Sequence, residues 1–208
     1  MLKTIEDRIL AKIKKSKRGT LFFNENFICY GTSEAIRRTL ARLVEKGEIV
    51  RLTGGLYVRP EIDKIKGKVL PGIDDIAAAF AQRDKAKIVP TGNYVLNKLG
   101  LSTQEPEVFE YLTNGTTRNI RIGNCAISLV RASQKNVDAI GKISRLVIQA
   151  LKTIGKENIS QTQIEQIQDI LSKEKISYLE HDLRVAPVWI EKIFWQTIHK
   201  LKEKEGLR

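Results

Sequence analysis

Ile5, Ile9 and Ile13 recur every fourth residue with Leu2 and Leu10 beside them, a spacing that predicts an amphipathic helix ending at the basic, Gly-containing run "KKSKRGT". The aromatic stretch "LFFNENFICYG" that follows has room for a brief strand and one short second helix. From Thr32 the pattern sharpens. Ile36, Leu40, Leu43 and Val44 fall at i, i+4, i+7 and i+8, with Thr32 placed to cap, Glu34 in the first turn and Gly47 as a stop. The period then changes to that of strands in "EIVRL" and "LYVRP". These runs are rich in β-branched and aromatic residues, and they flank Thr53-Gly54-Gly55, whose glycines allow a tight hairpin. Three helices closed by a terminal hairpin predict a winged helix-turn-helix domain over residues 1–60.

Pro60 ends that hairpin, and "EIDKIKGKVLPG" mixes Gly, Pro and lysines with little periodicity, so residues 61–72 read as a linker. A second domain is expected over residues 73–208. Within it, "IDDIAAAFAQRD" reads as a helix with Asp74 and Asp75 near its positive end, "KIVPTG" as a short strand, and "NYVLNKLG" as a helix closed by Gly100. Strands are expected in "EVFEYLT", "RNIRIG" and "CAISLVRA", with Asn114-Gly115 as a hairpin turn between the first two. Beyond Asp138 the pattern is helical to the end. The expected fold class is α+β: an N-terminal winged helix-turn-helix domain followed by a mixed α+β C-terminal domain ending in several helices.

Charge adds a direction. The 208 residues hold 36 Lys and Arg against 24 Asp and Glu, a net +12. Residues 1–60 alone hold thirteen cations against six anions, so a surplus of seven lies in less than a third of the chain. Such concentration favours a polyanionic partner for the winged helix. On a helical wheel Arg38 and Arg42 lie opposite the apolar arc of the third helix, with Arg37 on its flank. Helices of this kind enter the major groove by their N-terminal residues, which makes Thr32, Ser33, Glu34, Arg37 and Arg38 the expected base-reading or phosphate-touching positions, with Arg42 on the same face. The hairpin adds Arg51, Thr53, Gly54 and Arg59, while Lys14, Lys15, Lys17 and Arg18 read as a flexible basic collar that supplies affinity rather than sequence selection. The alternative is an ordinary solvated helix face on a module that binds protein or RNA, with the winged helix as scaffold.

The run "LSTQEPEVFEYLTNGTTRNIRIGN", preceded by "PTGNYVLNKLG" and followed by "LVIQALKTIGKENIS" and "RVAPVWI", resembles the AbiEi-like antitoxin family of type IV toxin-antitoxin systems. The likeness spans almost the whole chain; it is specific around Gly92 to Gly123 and generic over the first 60 residues. The resemblance implies a winged-helix domain that represses its own promoter and a C-terminal domain that carries antitoxic function. It also implies a nucleotidyltransferase-like toxin that is opposed without a stable complex. By position, the DNA-contacting role falls on Thr32 to Lys46 and on Arg51 to Arg59. Relatives exist in which the winged helix is kept without a toxin partner, so a stand-alone transcription factor is the neighbouring reading.

Signatures of chemistry are sparse. Gly31-Thr32 is not followed by the Asp-x-Asp pair that a nucleotidyltransferase needs to hold Mg²⁺, and no Glu-x-Lys of a metal-dependent nuclease occurs. His181 and His199 stand eighteen residues apart without HExxH or matching cysteines, and Cys29 and Cys125 form no CxxC and read as small buried hydrophobes. No Walker loop or dinucleotide fingerprint is present. No enzyme activity, catalytic residue, metal or cofactor is therefore expected. The N-terminus is charged from residue 3 and no segment has the apolar length of a membrane span, so a cytoplasmic protein without membrane contact is expected. In the last helix Ile190, Phe194, Ile198 and Leu201 form a core stripe that Trp189, Ile193 and Trp195 widen, with self-association or partner binding as the alternative use. Self-association on DNA would call for inverted repeats upstream, and the chain carries no dimerisation heptad to argue it from. Arg118, Arg121 and Arg131 read as solvated strand residues that could also touch nucleic acid.

Overall fold

The computed structural model describes residues 4–65, 67–204 and 206. Contacts divide the chain into two compact units, Met1–Ala79 with Arg121–Asn124, and Phe80–Ile120 with Cys125–Arg208.

In the first unit, helix α1 (Ile5–Lys15) begins at a capping box: the Thr4 hydroxyl accepts from the Asp7 amide at 3.1 Å and the Asp7 carboxylate accepts from the Thr4 amide at 3.0 Å. Strand β1 (Leu21–Phe23) leads into a 3-10 turn (Asn24–Tyr30), and helix α2 (Ser33–Glu45) follows. Strands β2 (Val50–Thr53) and β3 (Leu56–Val58) close the unit as a hairpin, and β1 pairs antiparallel with β3, giving the sheet order β1-β3-β2. Ile9 and Ile13 of α1, Phe22, Phe27, and Ile36, Leu40 and Leu43 of α2 form one buried cluster with Ile49 and Tyr57. Three helical segments packed on a three-stranded sheet whose last two strands form a wing are the winged helix-turn-helix expected. Cys29 departs from its expected burial and is exposed. With three residues per turn, Phe27 and Tyr30 share the inner side of the 3-10 turn, and Cys29 is left outside.

The stretch expected as a linker holds a second hairpin, β4 (Glu61–Asp63) and β5 (Gly67–Val69), paired Glu61 to Val69. Apart from half-buried Val69 its strand residues face water, so there was no half-buried strand for an alternating pattern to mark.

Helix α3 (Ile73–Arg83) contains the division between the units. There follow β6 (Ile88–Pro90), α4 (Gly92–Lys98), β7 (Val108–Thr113), β8 (Arg118–Ile122) and β9 (Cys125–Arg131), all in the second unit except Arg121 and Ile122 of β8. The sheet order is β6-β7-β9-β8, with β6 antiparallel and β9 parallel to β7. Asn114-Gly115 is therefore not a hairpin turn: β9 is inserted between β7 and β8. Neither residue has the left-handed φ that such a turn requires. Asn114 instead ties loops together, accepting from the Lys87 amide at 2.7 Å and donating to Gln134 at 2.7 Å. A Cβ on Gly115 would stand 2.6 Å from that of Ala86, so close approach is what this glycine provides.

Four helices complete the unit: α5 (Ser144–Ile154), α6 (Gln161–Leu171), α7 (Ile176–Leu183) and α8 (Val188–Lys204). Val147, Ile148, Leu151, Ile167, Leu171, Leu179, Ile190, Phe194 and Ile198 make their common core. Fully buried Asp182 of α7 accepts from the amides of Ile140 (2.8 Å) and Gly141 (2.9 Å) and from the Ser144 hydroxyl, so it holds the start of α5 from another helix. Asp182→Ala orphans the buried Gly141 amide and Ser144 hydroxyl. At about 1–3 kcal/mol for each orphan, a loss of about 2–6 kcal/mol is expected in urea denaturation. A second carboxylate, Asp84, accepts from Arg83 and Arg118, each at 3.0 Å. Burial works to raise its pKa, but the hydrogen bonds and charges of the two arginines outweigh it and hold Asp84 below the usual value. A lowered folded pKa gives stability that is present above the unfolded value and lost as the pH falls through the folded one. The stability gap between wild type and Asp84→Asn should accordingly shrink on acidification below the usual carboxylate range, as followed by thermal unfolding across a pH series.

Candidate nucleic-acid interface

Burial of Ile36, Thr39, Leu40 and Leu43 turns the opposite side of α2 to solvent, and that side carries Arg37, Arg38, Arg42 and Lys46. Thr32 caps the helix, its hydroxyl accepting from the Ala35 amide at 3.3 Å, and Ser33 and Glu34 are exposed in the first turn. Arg38 is 72% exposed and pairs with Glu34 one turn earlier. Arg42 lies 4.0 Å from Glu6 of α1, which also pairs with Lys46. Such solvent-facing pairs are worth about 0–1 kcal/mol, so a phosphate or base edge can displace them.

Arg37 and Arg51 differ from these. Among the described residues neither side chain makes a hydrogen bond, ion pair or ring contact. Both line one groove of about 330 Å³ between α2 and the wing, together with Asn24, Glu45, Gly55 and Tyr57, so the two arginines share it with one carboxylate. In the same groove wall the Asn24 Oδ1 is buried without a hydrogen-bond partner. Of the two wing glycines, Gly55 holds the left-handed φ of 76°, while a Cβ on Gly54 would meet nothing within 4 Å. The exposed tip at Gly54 thus leaves room for another backbone to approach, and Thr53 beside it is half-buried.

Several of the other basic residues have intramolecular work. Arg59 donates to the carbonyls of Lys14 (2.9 Å) and Ser16, closing the C-terminal end of α1 where helix carbonyls lack partners. Arg18 is exposed and donates to the Pro60 carbonyl at 3.1 Å, and Lys17, also exposed, uses its carbonyl to accept from the Thr20 hydroxyl at 2.7 Å. The collar is therefore a hydrogen-bonded turn. Lys14 pairs with Glu48 at 3.2 Å. Arg118 is held by Asp84, whereas Arg121 and Arg131 are exposed. Sequence reasoning missed Asn24, Tyr57 and Glu6. Glu6 and Lys46 are forty residues apart, and no local spacing announces such a pair.

Among the described residues no group of three His, Cys, Asp or Glu side chains could hold a metal ion, and no helix is long and apolar enough to cross a membrane. A family model described as a family of unknown function, DUF6088, matches residues 8–179, most of the chain. The protein belongs to the DUF6088 family. No curated protein matches this DUF6088 chain. A solved structure, the RV2827C protein from Mycobacterium tuberculosis, is similar at 12% identity with a TM-score of 0.42, over 96% of this chain and 82% of that one.

Because Arg59 closes α1, Arg59→Ala in this DUF6088 protein should act first on the fold. Hydrogen bonds from charged donors are worth about 1.5–3 kcal/mol, and a loss of about 2 kcal/mol in denaturant-induced unfolding is expected.

Proposed function

We propose that this DUF6088 protein is a cytoplasmic DNA-binding regulator that grips duplex DNA through α2 and the β2–β3 wing and represses transcription from its own promoter. One observation carries the reading: Arg37 on the helix and Arg51 on the wing, whose side chains have no intramolecular partner among the described residues, converge on a single groove. Arg38, Arg42 and Lys46 sit on the same outward side of α2 in readily exchanged pairs. In this reading Arg37 and Arg51 hold backbone phosphates, Arg38 takes a guanine edge, and Thr32, Ser33 and Glu34 stand nearest the base edges. Lys17 and Arg18 add phosphate contacts from the α1–β1 turn, and the Thr53-Gly54 tip follows the backbone or minor groove.

Within that reading the protein is the antitoxin of a type IV toxin-antitoxin system, counteracting a nucleotidyltransferase-like toxin without a stable complex. The resemblance to AbiEi-like antitoxins over Gly92 to Gly123 supports this finer assignment. A stand-alone winged-helix regulator is the alternative, and an adjacent reading frame carrying Gly-Ser followed by Asp-x-Asp separates the two.

Mobility shift on the upstream DNA across a salt series tests the binding. Affinity should fall steeply with salt, and Arg37→Ala and Arg51→Ala should each reduce the log–log salt slope by about one while weakening all sequences alike. Arg38→Ala should cost about 1–3 kcal/mol at the cognate site and relax selection there. Wild-type protein that binds no duplex at low salt overturns the proposal.

A further inference from the structure

The last helix carries more than its core stripe. Ile190, Ile193, Phe194 and Ile198 are buried, but Trp195 is 62% exposed on the other side, its indole stacked on His199 with centroids 5.9 Å apart. The indole stands as a ridge between two hollows, one of about 850 Å³ between α6 and α8 and one of about 390 Å³ toward α7. The larger hollow has Ile159, Ile164, Trp189 and Ile193 among its lining residues. A projecting tryptophan flanked by recesses is the shape of one half of a ridge-into-groove contact.

Charge selects the occupant. The rim of the larger hollow holds Lys156, Lys192 and Lys200 but also Glu165 and Glu203, so it carries both signs where an acidic partner or a nucleic acid would call for one. Along α8 the exposed residues Lys192, Gln196, His199 and Glu203 follow i, i+4, i+7 and i+11 and share one stripe, with Trp195 beside it. Reverse this stripe against itself about a two-fold axis midway between 197 and 198. Lys192 of one copy then meets Glu203 of the other, Trp195 meets Lys200, and Gln196 meets His199. Each unlike charge or cation–π pair is formed twice, as a two-fold interface requires. Lys192 makes no ion pair among the described residues, and Glu203 has only His199, at 3.4 Å.

We infer that α8 is a dimerisation surface on which a second copy of this chain packs antiparallel, with Trp195 as its anchor and Lys192–Glu203 pairs setting the register. This is independent of DNA binding.

Sedimentation velocity of the full chain over a concentration series, without DNA, provides the test. Wild type should pass from monomer to dimer, and Trp195→Glu should raise the dimer dissociation constant by about tenfold or more. Lys192→Glu and Glu203→Lys should each weaken the dimer, and the double variant Lys192→Glu/Glu203→Lys should restore it. Because all three side chains are exposed, circular dichroism and thermal unfolding should match wild type. A wild type that stays monomeric to its solubility limit overturns the inference. So does a dimer indifferent to Trp195→Glu, or a charge-swapped double variant no better than its parents.

Discussion

Burial of Ile36, Leu40 and Leu43 against Ile9, Ile13 and Phe27 is the constraint on which the N-terminal unit depends, since it fixes the rotation of α2 about its own axis. At about 1.5–3 kcal/mol for each fully buried aliphatic side chain, those three residues outweigh the exposed Glu34–Arg38 and Glu6–Lys46 pairs, which are worth at most about 1 kcal/mol apiece. The core therefore sets where the arginines point, and the ion pairs only decide what they touch while unoccupied. The wing is placed by the same core through Tyr57 and by β1–β3 pairing, so Arg51 arrives opposite Arg37 without any direct bond between the two.

In the second unit the corresponding role belongs to a polar group. The start of α5 has no capping side chain of its own, and Asp182, from an element some forty residues later in sequence, accepts from the Ile140 and Gly141 amides just before it and from the Ser144 hydroxyl of its first residue. Gly141 is what lets that carboxylate approach: a Cβ there would lie 2.2 Å from the Ser144 hydroxyl and 3.0 Å from Asp182. A backbone without a side chain and a buried acid thus form one device, and α7 and α5 are held in mutual register by it.

Legibility in the sequence followed the range of the interaction. Helix α2 was readable because its cap, its apolar period and its Gly47 stop all lie within sixteen residues. Helices α5 to α8 were readable from their apolar period. The β4–β5 hairpin was hidden because its largely wet strands leave no alternation, and the place of β9 was hidden because a parallel neighbour is set by packing rather than by a turn. At the candidate interface, outward-facing Arg37, Arg38 and Arg42 could be found from one helical wheel. What separated Arg37 from Arg38, and Arg51 from Arg59, was the partner of each: Glu34 for Arg38, and the carbonyls of Lys14 and Ser16 for Arg59. Those last bonds span more than forty residues, beyond the reach of any pattern.

The insertion of β9 between β7 and β8 carries a consequence for how the chain is made. As the polypeptide emerges during synthesis, β7 can zip onto β6 at once, but its other edge stays bare until β9 appears. Strand β8 appears first and has no neighbour waiting. It must stay out of the slot beside β7 until its successor folds back and takes it. A nascent chain halted between 118 and 125 would therefore expose an open β-edge, the kind of surface that holding chaperones cover and that aggregation exploits.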